Sequence, residues 1–207
     1  MILSKENYIT SSCIIYNKSV LKNGALLFKN DDQRLTDFLQ SAYQQVGFRY
    51  PKFYKMDNLS KLGWLATEVL LQDDFETGKY TPESIGVVLA NANSCLDTDR
   101  KYYDSTKDIA SPALFVYTLP NIVIGEICIR HNFKGENAFF IFGRFDAGFM
   151  QQYVSNMINN DILQSCICGW VDVLEDEYKA VLFLVEKKGD ISFTVENINK
   201  IYELENG

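Results

Sequence analysis

Short apolar runs bounded by polar or charged residues recur along the chain and predict β-strands. The run at 84–91 ends in polar turn residues, and the run at 180–185 is bounded by charges, so both are predicted to be fully buried strands. Tyr8–Tyr16, rich in β-branched residues, is predicted as a further strand. The same pattern predicts strands at 138–142, within 162–173 and at 191–195.

Apolar residues spaced three and four apart predict helices between these strands. One helix is predicted at 31–46, with Asp31 and Asp32 at its start, and another begins at Asp57 and carries an apolar stripe at Leu62, Leu65, Ala66, Val69 and Leu70. Further helices are predicted at 120–129 with Pro120 in the first turn, at 146–160 and at 196–204, whereas 97–108 is a loop or a short solvated helix. Strands alternating with helices predict an α/β domain: a central mixed, largely parallel sheet of about five strands, with helices on its faces.

Length and charge limit the class of protein. The 207 residues are predicted to form a single domain over 1–207. Twenty basic against 27 acidic residues give a net charge of −7, which argues against nucleic acid or an anionic membrane as the main partner. The single histidine, His131, excludes a mechanism built on two histidines and most multi-histidine metal sites. We therefore expect neither a metal nor a cofactor.

Cysteine usage and the lack of a targeting segment predict a cytoplasmic location. The five cysteines are an odd number and most lie in apolar stretches, as free buried thiols do; the spacing of Cys166 and Cys168 suits neither a zinc site nor a redox pair. The N-terminus has no signal-peptide pattern. The most apolar window, 113–129, is interrupted by polar residues and is shorter than the ~20 residues of a membrane span.

Six short motifs follow one another in a fixed order. They are Lys55-Met56-Asp57, the run 85–91, Ser111-Pro112 with Pro120-Asn121, Gly135-Glu136-Asn137, Cys168-Gly169-Trp170-Val171-Asp172, and 177–187. In this order and spacing they resemble the N-terminal half of the β-ketoacyl synthases, the thiolase-fold condensing enzymes of fatty-acid and polyketide synthesis. The resemblance covers roughly 8–187, leaves 190–207 as a C-terminal extension, and implies a thiolase-like half-fold.

The resemblance also implies that the nucleophile is missing. In the family a cysteine lies seven residues after the asparagine of the fourth motif, at a sharp strand-to-helix turn where the helix N-terminus activates the thiol. Counting from Asn137 gives Arg144, and neither Gly143 nor Phe145 is a nucleophile. The second half of these enzymes supplies the catalytic histidines (or histidine and asparagine) and a lysine, which the resemblance does not reach. We expect no condensation by this chain alone.

A few residues remain as candidates for binding. Arg144 and Asp146 are predicted to bind an anion or to pair with each other, and with Phe142 and Phe145 they form the predicted ligand or partner contacts. His131 is predicted to lie at a helix C-terminus near terminal carbonyls, with acid–base chemistry as the alternative. The acidic clusters at 73–76 and 172–176 are predicted to be solvated.

The leading hypothesis is a catalytically inactive partner of an active ketosynthase, similar to a chain-length factor, in fatty-acid, polyketide or polyene synthesis. The alternatives are a stand-alone binding module for an acyl or other small ligand, an enzyme of altered chemistry centred on Arg144, and a structural homodimer. An acyl-carrier protein is a secondary partner, and Lys52, Lys55 and Lys61 are the basic cluster that would contact it.

Oligomerisation is expected from the same resemblance, because a lone half-fold leaves an apolar helical face uncovered. The predicted face consists of Leu62, Leu65, Val69, Phe149, Tyr153 and Met157. We expect a dimer with itself or with a ketosynthase. The alternative is that 190–207 folds back over this face and makes a monomer self-sufficient.

Overall fold

The computed structural model describes residues 6–31, 34–76 and 78–204. Every predicted strand is present, although its bounds differ by a few residues. The strands are β1 (Tyr8–Tyr16), β2 (Ser19–Lys22), β3 (Ala25–Lys29), β4 (Ile85–Asn91), β5 (Asn137–Ile141), β6 (Ser165–Leu174), β7 (Glu177–Glu186) and β8 (Ile191–Ser192). Strands β2 and β3 were not predicted, although the Asn23-Gly24 pair between them is a strong hairpin signal.

The helices also follow the predicted order. They are α1 (Leu35–Val46), α2 (Asn58–Leu71), α3 (Leu96–Ser105), α4 (Pro112–Phe115), α5 (Ile122–His131), α6 (Ala147–Asn159) and α7 (Val195–Tyr202). The Asp57 carboxylate caps α2 by accepting a hydrogen bond from the Ser60 N–H (2.9 Å). Two predicted starts are wrong: α1 begins at Leu35, with Asp31 in a turn before it and Asp32 outside the described residues, and Pro120 precedes α5 by two residues.

One sheet of eight strands runs in the order β3-β2-β1-β7-β6-β4-β5, with β8 paired to β1. Among the described residues, the pairs of β4 with β5 and with β6 are parallel, and the other five strand pairs are antiparallel. The mixed α/β class is confirmed, but the expectation of about five, largely parallel strands is wrong. The tight hairpins β1–β2–β3 and β6–β7 cause the difference, because a short turn forces antiparallel pairing.

Helices from within the chain cover both faces of the sheet. Alternating residues of the central strands pack against α1, α2 and α5 on one face and against α6 and α7 on the other. Leu62, Leu65 and Val69 of α2 are fully buried in the first layer, so they are not part of an uncovered face. That part of the predicted face is wrong, because α2 is enclosed by the sheet together with α1 and α5.

The C-terminal segment packs onto the second face, beside α6. Phe193, Ile198 and Ile201 are buried there in the second core cluster, so the segment does fold back onto the protein, which is one part of the fold-back alternative. Phe149, Tyr153 and Met157 of α6 nevertheless remain partly exposed. One apolar surface that the fold leaves partly open is therefore on α6 and on the neighbouring edge strand, β5.

Candidate functional site

Five residues, 142–146, connect β5 to α6 and include the position at which the resemblance places the nucleophile. The Asp146 carboxylate caps α6, since its Oδ1 accepts a hydrogen bond from the Phe149 N–H (2.8 Å). Arg144 is exposed in the middle of the turn. The predicted strand-to-helix turn is thus present, and the side chain that it displays is a guanidinium.

The predicted pairing of Arg144 with Asp146 is not found. Asp146 turns its carboxylate towards the helix backbone, and none of the ion pairs between described residues includes Arg144. The capping bond explains this arrangement, because a carboxylate at the N-cap satisfies an otherwise unpaired N–H and faces the positive end of the helix.

Phe142 and Phe145 point to different surroundings. The Phe142 ring lies 4.9 Å from that of Phe149, on the α6 side that is partly open. Phe145 stacks on Tyr202 of α7 at 4.3 Å and makes an edge contact with Trp170 at 6.0 Å. The four predicted contact residues therefore do not form one site, and the turn divides them between two surfaces.

One of these surfaces is a cleft of about 640 Å³, which we call the strand-end cleft. It lies where β4, β5 and β6 end and β7 begins, the side of an α/β sheet where ligands commonly bind. Its lining includes Tyr16, Asn93, Gly143, Trp170, Lys179 and Tyr202. The Lys179 ammonium lies 4.0 Å from the centre of the Tyr202 ring and 5.1 Å from that of Tyr16, so the cleft combines aromatic surfaces with a cation.

Asp172 holds one wall of this cleft in place. Its Oδ1 accepts hydrogen bonds from the N–H groups of Ala92 (3.2 Å) and Asn93 (3.0 Å), and its Oδ2 accepts one from Asn93 Nδ2 (2.8 Å). The prediction that Asp172 belongs to a solvated acidic cluster is wrong. In the sequence, this role of Asp172 was indicated only by its position at the end of the Cys168–Asp172 motif. The pairing that sets β6 beside β4 joins distant residues, so the residue pattern does not reveal it.

The thiols do not offer a nucleophile near the turn. Cys13, Cys166 and Cys168 are fully buried, and burial raises the pKa of each above its ordinary value. Burial raises the pKa of Cys95 and of Cys128 to about 11. A reactive cysteine needs a lowered pKa, so all five have the properties of structural thiols, as the sequence predicted.

His131 is the last residue of α5, as expected, but its partner is a side chain. Its Nε2 lies 2.9 Å from Oε1 of Glu68, a buried carboxylate on α2 that also accepts a hydrogen bond from Arg130 Nε (3.0 Å). Burial tends to raise the pKa of Glu68, but the contacts with His131 and Arg130 outweigh it and hold that pKa below its usual value. The trio is far from the turn in sequence and lines another cleft.

The second surface beside the turn is aromatic and uncharged. The rings of Phe140, Phe142, Phe149 and Tyr153, which we call the aromatic patch, contact one another at centroid distances of 4.8–5.9 Å and are each partly exposed. Within 137–160 the only charged residues are Arg144 and Asp146. β5 forms the end of the sheet, and Ile141 is 48% exposed. An open edge strand beside such a patch has the properties of a docking surface.

Other site types are not indicated by the described residues. Within 6–31, 34–76 and 78–204, no cluster of three or more histidine, cysteine, aspartate or glutamate side chains is arranged to hold a metal ion. Across the same residues, each helix is too short or too polar to cross a membrane.

No protein-family model and no curated protein matches this chain. Solved structures do. The ishigamide ketosynthase/chain length factor superposes with a TM-score of 0.63 at 16% identity, over 87% of this chain and 62% of that one. AntDE:AntF, a type II polyketide synthase ketosynthase with its acyl-carrier protein, superposes with a TM-score of 0.60 at 15% identity, over 89% and 63%.

A third structure is the ketosynthase ApeO in complex with its chain length factor ApeC from Xenorhabdus doucetiae, with a TM-score of 0.61 at 10% identity. Here 95% of this chain aligns with 90% of the matched chain, whereas the chain spans about three fifths of the first two proteins. The chain has the thiolase-like fold of ketosynthases and chain-length factors. Identities this low establish the fold and leave the activity to the site.

Proposed function

We propose that this protein is a non-catalytic, chain-length-factor-like partner of an active ketosynthase in fatty-acid, polyketide or polyene synthesis. The observation that carries the proposal is the side chain at the strand-to-helix turn. An exposed guanidinium occupies it, and the five thiols lie elsewhere with raised pKa values that disfavour the thiolate. A thioester cannot form on arginine.

The neighbouring surface supports a role in association. The aromatic patch and the open edge of β5 form a stretch with few charges in a chain whose charged residues make up 23% of the total. Interface cores are likewise depleted of charge and enriched in aromatic residues. A further apolar segment follows α3, with Ile109, Phe115, Val116 and Leu119 all more than half exposed. It is tied to Cys95 by the contact of that residue's Sγ with the Thr118 carbonyl (2.9 Å).

Contact with an acyl-carrier protein is the secondary part of the proposal. Of the predicted basic cluster, Lys52 is already paired with the buried Glu126 at 2.7 Å. Lys61 is partly buried, and burial lowers its pKa. Lys55 is exposed. Of the three lysines, Lys55 is therefore best placed to contact an acidic partner. Because the other two are paired or partly buried, the ketosynthase stays the main partner in this proposal.

Co-expression with a ketosynthase from the same genome tests the proposal. We expect native mass spectrometry to detect a heterodimer, and we expect acyl thioesters to label the ketosynthase and not this chain. Phe149→Lys in the aromatic patch should abolish the complex, whereas Gln152→Lys, which adds the same charge at an exposed position of the same helix, should leave it intact. Labelling of a cysteine of this chain, or a stable homodimer that does not exchange with any ketosynthase, would contradict the proposal.

A further inference from the structure

A second cleft, of about 600 Å³, lies at the opposite end of the fold from the strand-end cleft, where α2 and α5 end and β4 begins. We call it the histidine cleft. Its apolar walls include Phe48, Leu71, Phe75, Tyr80, Ile85 and Phe133. Glu68, Arg130 and His131 form its charged side. Its volume is in the range of pockets that hold small organic molecules.

The charged side contains one acid and two bases. Oε1 of Glu68 accepts the hydrogen bond from Arg130 Nε and lies 2.9 Å from His131 Nε2, while Oε2 is 3.4 Å from Arg130 Nη2. A single carboxylate therefore faces both basic side chains. Whenever His131 is protonated, the trio carries one surplus positive charge.

That surplus is poorly compensated within the protein. His131 Nε2 is buried and lies 2.9 Å from Glu68 Oε1, and Glu68 is the one acidic side chain among the described residues that line the cleft. The imidazole and the guanidinium are also accessible, since the side chains of His131 and Arg130 are 21% and 34% exposed. The ionisable groups beside them are already occupied: the Tyr80 hydroxyl and the Lys79 ammonium both contact Glu186 Oε1, at 2.6 and 2.7 Å.

Aromatic rings hold the two bases in fixed orientations. The His131 ring stacks on Phe133 with centroids 5.1 Å apart and planes 16° from parallel, and the Arg130 guanidinium lies 5.2 Å from the centre of the Tyr50 ring. The cleft thus presents pre-oriented positive groups next to apolar and aromatic walls. An organic anion complements both features, because its charge balances the trio and its body covers the walls.

We propose that the histidine cleft binds a small carboxylic acid with an aromatic body, its carboxylate next to Arg130 and His131 and its ring among the aromatic walls. A neutral molecule of the same shape lacks the charge for the trio, and an ammonium compound is repelled by it. Arg130 and His131 share the single carboxylate of Glu68, so the bound carboxylate supplies the second acidic partner for these two bases. This site is separate from the docking surface and does not depend on a ketosynthase partner.

The single histidine makes the test direct, because the imidazole signal in an NMR spectrum of the whole chain belongs to His131 alone. We expect benzoate to shift this signal saturably at millimolar concentration. Benzyl alcohol and benzylamine at the same concentrations serve as the neutral and cationic probes, and they should produce no saturable shift.

Two variants, followed by calorimetry, separate the site from a general charge effect. His131→Gln should weaken benzoate binding about tenfold, because one of the two bases next to the carboxylate is removed. Lys134→Gln removes a positive charge from an exposed residue three positions away that is not in the cleft lining, and it should bind as the wild type does. Absence of a saturable shift with the wild type, an equal response to benzyl alcohol, or equal losses in the two variants would overturn the proposal.

Discussion

The strongest prediction about the strand-end cleft concerns Asp172, which connects β6 to the turn after β4. Replacing it by alanine removes three hydrogen bonds, those from the N–H groups of Ala92 and Asn93 and from the Asn93 amide. A hydrogen bond to a charged group contributes ~1.5–3 kcal/mol net. Because Asp172 is only partly buried, water can take the place of part of each lost hydrogen bond. We therefore assign a contribution of ~1 kcal/mol to each bond.

We therefore expect Asp172→Ala to lower the free energy of unfolding by about 3 kcal/mol. For a chain of this size that corresponds to a fall in Tm of roughly 6–12 °C. Urea unfolding followed by tryptophan fluorescence measures it, since Trp170 lines the same cleft. The m-value should not change, because the loss is local and the surface exposed on unfolding is the same.

Asp172→Asn is the matched control. Its side-chain oxygen can still accept both backbone hydrogen bonds, so only the charge and one bond are lost, and we expect a cost of about 1 kcal/mol. A loss below about 1 kcal/mol for the alanine variant, or equal losses for the two variants, would refute the assignment of Asp172 as the group that holds this turn.

Three further predictions address the fold, its pH dependence and the turn. Gly169→Ala should abolish stable folding, because φ at this residue is +146° and a Cβ atom would lie 2.0 Å from the Val181 carbonyl oxygen. Solubility and circular dichroism measure this, and near-wild-type stability would contradict it. The pKa of Glu68 is lower in the folded state than in the unfolded state, so the charged Glu68 stabilises the folded protein fully above the unfolded pKa of about 4.3. This stabilisation is lost as the pH falls through the folded-state pKa. A plot of stability against pH for Glu68→Gln should therefore lack this part of the acid-induced loss. Arg144→Cys should show no condensing turnover in a thioester assay, because the strand-end cleft has no histidine in its lining to act as base, and turnover by this variant alone would refute that reasoning.

Several features of the fold followed from local pattern. Asp57 at a helix start and the three-and-four spacing of Leu62, Leu65 and Val69 predicted α2, and the charge-bounded run at 180–185 predicted β7. Counting from Asn137 placed Arg144 in a strand-to-helix turn, where the structure has it. These predictions succeed because periodicity, capping and chain order are properties of neighbouring residues.

Strand direction and side-chain partners depended on contacts between distant parts of the chain. The hairpins of β1–β3 and β6–β7 made the sheet mainly antiparallel. The sheet together with α1 and α5 buried the stripe of α2. The pairing of β4 with β6 brought Asp172 to the turn at Ala92. Phe142 and Phe145, three residues apart, separated onto two surfaces for the same reason. The sequence therefore determined which elements form and which residue occupies the turn, because these follow from short-range sterics and hydrophobic periodicity. The tertiary structure decided which surfaces remain open, because burial depends on elements that are far apart in the chain.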